Sequence, residues 1–140
     1  MPKIPATILG FDYGTKRIGV AVGQTITHTA TPLTTLHHQQ QQPDWREIKN
    51  LISVWKPQAL VVGMPHYPDN NKHPLHDAIQ HFCQTLIQLS GLPVHTIDER
   101  LSSYEAEQLI LEKKHHTHAV DSVAAQIILE TWLRKHDAHS

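Results

Sequence analysis

The chain has 140 residues, 39% hydrophobic and 18% charged, which suits one ordinary globular domain and leaves too little length for two. Its formal net charge of -1, with histidines neutral, provides no overall attraction to nucleic acid, so any case for such a partner must be local. A single cysteine excludes an internal disulfide, the first residues lack the apolar run of a secretory signal, and no stretch approaches the roughly 20 apolar residues that span a bilayer, so the expectation is a soluble cytoplasmic protein.

Residues 6–11, 17–22 and 29–36 read as three strands, the third rich in threonine, and the short connections between them predict an antiparallel meander. The polar tract 37–43 reads as an exposed connection. Asp44, with Glu47 three residues on, starts a helix in capping-box fashion; Ile48, Leu51, Ile52 and Trp55 give it an inward stripe, and it ends before Pro57. The run 59–64 is nearly all apolar between prolines at 57 and 65, which suits a strand buried on both faces.

Pro74 can open a second helix, with Leu75, Ile79, Phe82, Leu86 and Leu89 as its stripe and Gly91 as its stop, before a strand at 93–97. Ser102 and Glu105 repeat the capping spacing ahead of Ala106, Leu109 and Ile110, which predicts a third helix. The histidine-rich stretch 113–118 reads as a loop, with His115, His116 and His118 solvated rather than metal-bound, and a last helix covers 119–134. Cys83, Trp55 and Trp132 are expected in the core. This order predicts an α/β protein: a mixed five-stranded sheet flanked by helices on both faces, with the strand at 59–64 beside the first strand and the strand at 93–97 outside it. That arrangement matches the ribonuclease H-like fold.

Three acids stand where chemistry is plausible. Asp12 ends the first strand and is followed by Gly14, Thr15, Lys16 and Arg17, a turn whose amides and cations can approach phosphate. Asp98 and Glu99 end another strand ahead of Arg100, and Asp121 heads the stripe Ala124, Ala125, Ile128 and Trp132, which turns it toward the buried face. Singly, each has an ordinary reading, as a turn residue, a partner of Arg100 or a helix-dipole anion. Together, Asp12, Asp121 and either Asp98 or Glu99 would repel one another unless a divalent cation such as Mg2+ or Mn2+ held them as anions. Such a site suits hydrolysis of a phosphodiester, with Lys16 and Arg17 on flanking phosphates.

The segments DYGTKRIGVAVG at 12–23, LVVGMP at 60–65, DERLSSYEAE at 98–107 and VDSVAAQIILETWL at 120–133 resemble the YqgF/RuvX family of pre-16S rRNA nucleases and Holliday-junction-resolvase-like proteins, over nearly the whole chain. The resemblance implies a ribonuclease H-like fold, divalent-metal dependence, and processing of the 5′ end of the small-subunit ribosomal RNA precursor in a bacterial cytoplasm. It implies Asp12, Glu99 and Asp121 as the catalytic acids, with Asp98 an open alternative to Glu99 as ligand; Gly14, Thr15, Lys16, Arg17 and Arg100 are the residues expected on the nucleic acid. One departure is Asp69-Asn70-Asn71-Lys72, where the family carries an Asp-Gly-Thr turn.

The expected partner is structured RNA or, alternatively, branched DNA, met by a monomer or weak dimer. Two other classes compete. A nucleotide-binding fold of the actin and sugar-kinase type shares the first loop, but needs a second domain that 140 residues do not leave room for. A non-catalytic RNA-binding assembly factor would use the same groove without turnover.

Overall fold

The computed structural model describes residues 6–64, 75–98 and 119–137. Strands β1 (Thr7–Tyr13), β2 (Arg17–Gln24) and β3 (Thr29–His37) form the antiparallel meander, each running past the range expected from sequence. Helix α1 (Trp45–Trp55), strand β4 (Ala59–Met64), helix α2 (His76–Ser90), strand β5 (Val94–Asp98) and helix α3 (Ala119–Asp137) follow. The five strands lie in the order β3-β2-β1-β4-β5, with β4 parallel to both β1 and β5. The predicted helix after Ser102, the histidine-rich stretch, the 69–72 turn and Pro74 lie outside the described residues.

Local chemistry explains where the helices stop and start. The Asp44 carboxylate accepts a hydrogen bond from the Glu47 amide at 3.2 Å, satisfying one of the orphan N–H groups of the first turn of α1. Lys56 closes that helix in a left-handed conformation, and Gly91 does the same for α2 at φ 69°, where a glycine pays no Cβ penalty.

The period-two alternation of the strands sorts their side chains into two cores. Leu9, Phe11, Ile18, Val20, Leu60 and Val62 pack with Ile48, Leu51, Ile79, Phe82 and Leu86 of α1 and α2. On the other face Ile8, Ala21, Ala59, Val61 and Ile97 meet Ala125, Ile128, Leu129, Trp132 and Leu133 of α3. Each fully buried large side chain contributes roughly 1.5–3 kcal/mol, and their division between both faces holds the sheet as a middle layer. Trp55 departs from the expected core: it is 36% exposed, one turn beyond the part of α1 that faces the sheet. Cys83 is half-buried against the first core rather than fully inside it.

The free edge at β3 is blunted. A register shift opposite Val20 and Ala21 accommodates Pro32, tolerable only where a missing N–H breaks no central ladder. Two α3 side chains four residues apart then occupy the backbone of Ala30: its N–H donates to Glu130 at 3.0 Å, and its carbonyl accepts from Gln126 at 2.9 Å. That clamp fixes where α3 lies along the sheet.

Candidate metal centre and nucleic-acid edge

Because β1, β4 and β5 are parallel, their carboxyl ends share one edge, the place where open α/β sheets present functional groups. Asp12 is the penultimate residue of β1 and pairs with Gly19 of β2, so it lies inside the strand rather than just after it. Ile8 and Gly10 set the α3-facing parity of β1, and Asp12 shares it.

Glycine is what lets α3 come down on that edge. A Cβ on Gly19 would overlap the backbone carbonyl of Asp121 and stand 2.8 Å from the Ser122 nitrogen. Gly10 and Gly23 play the same part farther along, where a Cβ would press on Leu129 at 2.9 Å in each case. Ala125 of α3 lies in the interface, but the sheet's own glycines set the approach. Their signal was present in the sequence, since glycine inside a strand often marks a close backbone neighbour. The first turn of α3 therefore rests against the residue paired with Asp12, which brings Asp12 and Asp121 to one corner.

The turn beside Asp12 is a tight hairpin end. The Gly14 N–H donates to the Arg17 carbonyl at 2.8 Å, closing a loop whose two central residues, Thr15 and Lys16, are exposed. A Cβ on Gly14 would sit 2.9 Å from that carbonyl, so the glycine is needed for closeness. Its amide is spent within the hairpin, which corrects the expectation that this N–H faces a phosphate.

His38 braces the turn from behind. Its backbone N–H donates to the Lys16 carbonyl at 3.0 Å, and its Nε2 lies 2.8 Å from the Gly14 carbonyl. A carbonyl only accepts, so Nε2 carries the proton in the neutral ring. The Tyr13 and His38 rings are 5.3 Å apart, and burial pushes the Tyr13 hydroxyl above the usual phenol range.

Arg17 Nε lies 3.0 Å from Asp121 Oδ2, with the two side chains 39% and 21% exposed. The distance is that of a hydrogen bond, but the oxygen accepts none with acceptable direction from the described residues, although it is buried. The contact is thus a charge pairing, which counters the Asp121 charge while leaving that oxygen's lone pairs unused. A buried carboxylate oxygen that accepts no hydrogen bond from the described residues is the donor type a hard cation takes, and Asp12 stands at the same corner of the sheet, so the two acids suit a divalent ion. Among the described residues no set of three potential ligands closes around one point. The third expected acid, Glu99, and Arg100 lie outside those residues, and position 98 ends β5 in register with Met64.

A model of the RuvX family, described as Holliday junction resolvase, matches residues 6–135. The chain belongs to the RuvX family. Relatives named "Putative pre-16S rRNA nuclease" from Legionella pneumophila (strain Paris) and Coxiella burnetii (strain RSA 331 / Henzerling II) are each 44% identical, covering 96% of this chain and 99% and 97% of their own. Among solved structures, T. thermophilus RuvC in complex with Holliday junction substrate superposes with a TM-score of 0.61 at 15% identity, over 96% of this chain and 98% of that one. The fowlpox virus Holliday junction resolvase gives 0.59 at 12% identity, over 92% and 99%. The RuvX chain thus has the ribonuclease H-like fold expected from its order of elements. None of its described helices is long and apolar enough to cross a membrane.

Proposed function

We propose that this RuvX protein is a divalent-metal-dependent endonuclease of the cytoplasm that hydrolyses phosphodiester bonds in structured RNA, with the 5′ end of the small-subunit ribosomal RNA precursor as its substrate. The observation that carries the reading is the seating of the Asp121 backbone on Gly19, the partner of Asp12, which supports a site shared by two acids from distant parts of the chain. The names of the 44% identical relatives support the RNA.

Asp12 and Asp121 would hold Mg2+ or Mn2+ with a third acid. The family resemblance makes Glu99 that third acid, with Asp98 as the alternative. When bound, the ion supplies charge neutralisation at the scissile phosphate and acidifies a water. Arg17 pairs in charge with Asp121 and leaves part of its side chain exposed for a phosphate oxygen. Lys16, on the exposed turn, meets a neighbouring phosphate as a mobile point charge, with Thr15 beside it and Arg100 expected on the same strand of nucleic acid. In the hydrolysis, water oxygen bonds to phosphorus, the bridging P–O bond breaks, and the leaving oxygen takes a proton.

The family description and the resemblance to RuvC favour a second substrate in the same reaction, four-way DNA. Purified protein offered a 5′-extended 16S precursor fragment and a four-way junction, in Mg2+ and in Mn2+, separates the two. Wild type is expected to cut the RNA faster, and Asp12→Asn to lose at least about 100-fold in rate while keeping its fold. Equal cleavage by wild type and Asp12→Asn would overturn the reading. Undiminished precursor maturation in cells carrying only the Asp12→Asn protein would point to a non-catalytic binder.

A further inference from the structure

On the opposite face of the sheet from Asp12, next to the same strand end, lies a cavity of about 220 Å³ that the nuclease site does not use. Tyr13, Trp45, Phe82, Pro43, Gln42 and His81 line it. Trp45 stacks on Phe82 with 5.3 Å between ring centroids and 28° between planes, and Tyr13 leans on the same ring at 5.1 Å. The wall is therefore aromatic, with the partly exposed Tyr13 and Trp45 rings backed by the buried Phe82, while Gln42 and His81 are exposed polar groups. Partly exposed tyrosine and tryptophan rings with amide and imidazole groups among the lining residues are what an unpaired nucleobase requires, stacking through its face and hydrogen-bonding through its edge. The volume, below the usual range for drug-sized ligands, admits one such ring system.

Two further observations set the cavity apart from an accidental gap. Gln39 and Gln42 exchange backbone hydrogen bonds of 2.7 and 2.9 Å around Gln40 and Gln41, which both have positive φ, 52° and 67°. This tight turn favours Asn-Gly, and two glutamines in it hold strain that would relax unless the surroundings held it; Gln41 and Gln42 are the residues it presents to the cavity. Moreover, Tyr13 directly follows Asp12, so about 3.3 Å of strand separates the acid from the aromatic wall, with their side chains on opposite faces. His38 ties Tyr13 to the hairpin that carries Lys16 and Arg17.

We propose that the Tyr13–Trp45–Phe82 cavity is a binding site for one unpaired nucleobase of the strand being cut, splayed around the end of β1 while its phosphate lies on the Asp12 side. This rests on the nuclease reading and extends it: the substrate is cut where a base can leave its stack, at a single-stranded end, loop or branch point. Either RNA or DNA offers that base, so both enter the test.

Eight-residue RNA and DNA oligonucleotides carrying 5-iodouracil are irradiated with the wild-type protein in EDTA, and the cross-linked peptides are sequenced. The expected cross-links fall on Tyr13, Trp45 or His81; adducts confined to other parts of the chain, or no measurable binding by wild type, would overturn the proposal. Fluorescence anisotropy with the same oligonucleotides is expected to show about 10-fold weaker binding for Trp45→Leu, in line with the loss of one stacked base, and a several-fold loss for the exposed substitutions His81→Ala and Gln42→Ala, which spare the core. Binding within twofold of wild type by all three would also overturn it. Cleavage by Asp12→Asn, run alongside, keeps the outcomes apart: a cavity without nucleobase affinity leaves the nuclease difference intact, whereas Asp12→Asn cutting like wild type removes the nuclease reading whatever the oligonucleotides do. Preferential cross-linking of RNA or of DNA identifies which strand the cavity serves.

Discussion

Replacing Gly19 by alanine adds one methyl group at the tightest of the approaches to the described glycines. The atoms it would meet are the main-chain carbonyl of Asp121 and the Ser122 nitrogen, not the end of a flexible side chain. No rotamer change relieves the overlap, so the first turn of α3 must lift off β2, taking Ala125 and Ile128 with it and separating Asp121 from Arg17. Overpacking of a core ordinarily costs 1–3 kcal/mol, and a backbone-on-backbone collision belongs at the upper end, about 3 kcal/mol. For a chain of this size that lowers the melting temperature by about 10 °C. A displacement of the acid by about 1 Å would also lower cleavage about 100-fold. Circular dichroism melts and single-turnover cleavage read the two effects, with Gly91→Ala as control: that site has φ 69° but nothing within 4 Å, so it should lose only about 1 kcal/mol and no activity. A Gly19→Ala protein melting within 2 °C of wild type, on the order of half a kcal/mol, and cutting at the wild-type rate would refute the close approach of α3 to Gly19.

Arg17→Gln should lower stability by about 1 kcal/mol in low-salt urea titrations, with the difference shrinking in 1 M salt because the pair is partly exposed; adding Asp121→Asn should recover part of the loss, and a salt-independent effect would count against charge pairing. Lys16→Ala should leave the melting temperature unchanged and reduce the salt slope of nucleic-acid binding by about 1, whereas an unaltered slope would remove Lys16 from the interface. Burial pushes the Cys83 thiol up to about 11, so alkylation at pH 8 should run on the order of 100-fold slower than in the unfolded chain. Because the fold favours the protonated thiol, that contribution to stability is whole below the ordinary thiol range and lost as pH rises toward 11; Cys83→Ala should flatten the decline, and an identical alkaline profile would contradict it.

Much of the fold was legible because its signals are local. The β-favouring runs at 6–11 and 17–22, the Asp44 cap with its Ile48 and Leu51 stripe, and the nearly all-apolar run before Pro65 each fix an element within a few residues. The strand order followed from the crossover rules once those elements were placed. The positions of Asp12 near a strand end and of Asp121 in the first turn of the last helix followed from the same local signals.

What escaped depends on contacts across the chain. That Gly19 receives the backbone of Asp121, about a hundred residues away, leaves only a glycine inside a strand as its trace, and the DYGTKRIGVAVG motif gave no hint whether Gly14 or Gly19 was the close one. Arg17 looked like a phosphate ligand and also turns out to be the counter-charge of Asp121. The four glutamines read as a featureless polar tract, because nothing in glutamine's own preferences announces two consecutive left-handed residues. Trp55 followed the helical period of α1 yet is exposed, since the sheet covers only the middle of that helix.

The central claim is that Asp12 and Asp121 share one divalent cation, and Mn2+ binding followed by the loss of its free electron paramagnetic resonance signal tests it most directly. Wild type should bind with a defined stoichiometry, and Asp12→Asn and Asp121→Asn should each weaken binding at least about 10-fold while melting as folded proteins. Unchanged Mn2+ affinity in both variants would contradict the account.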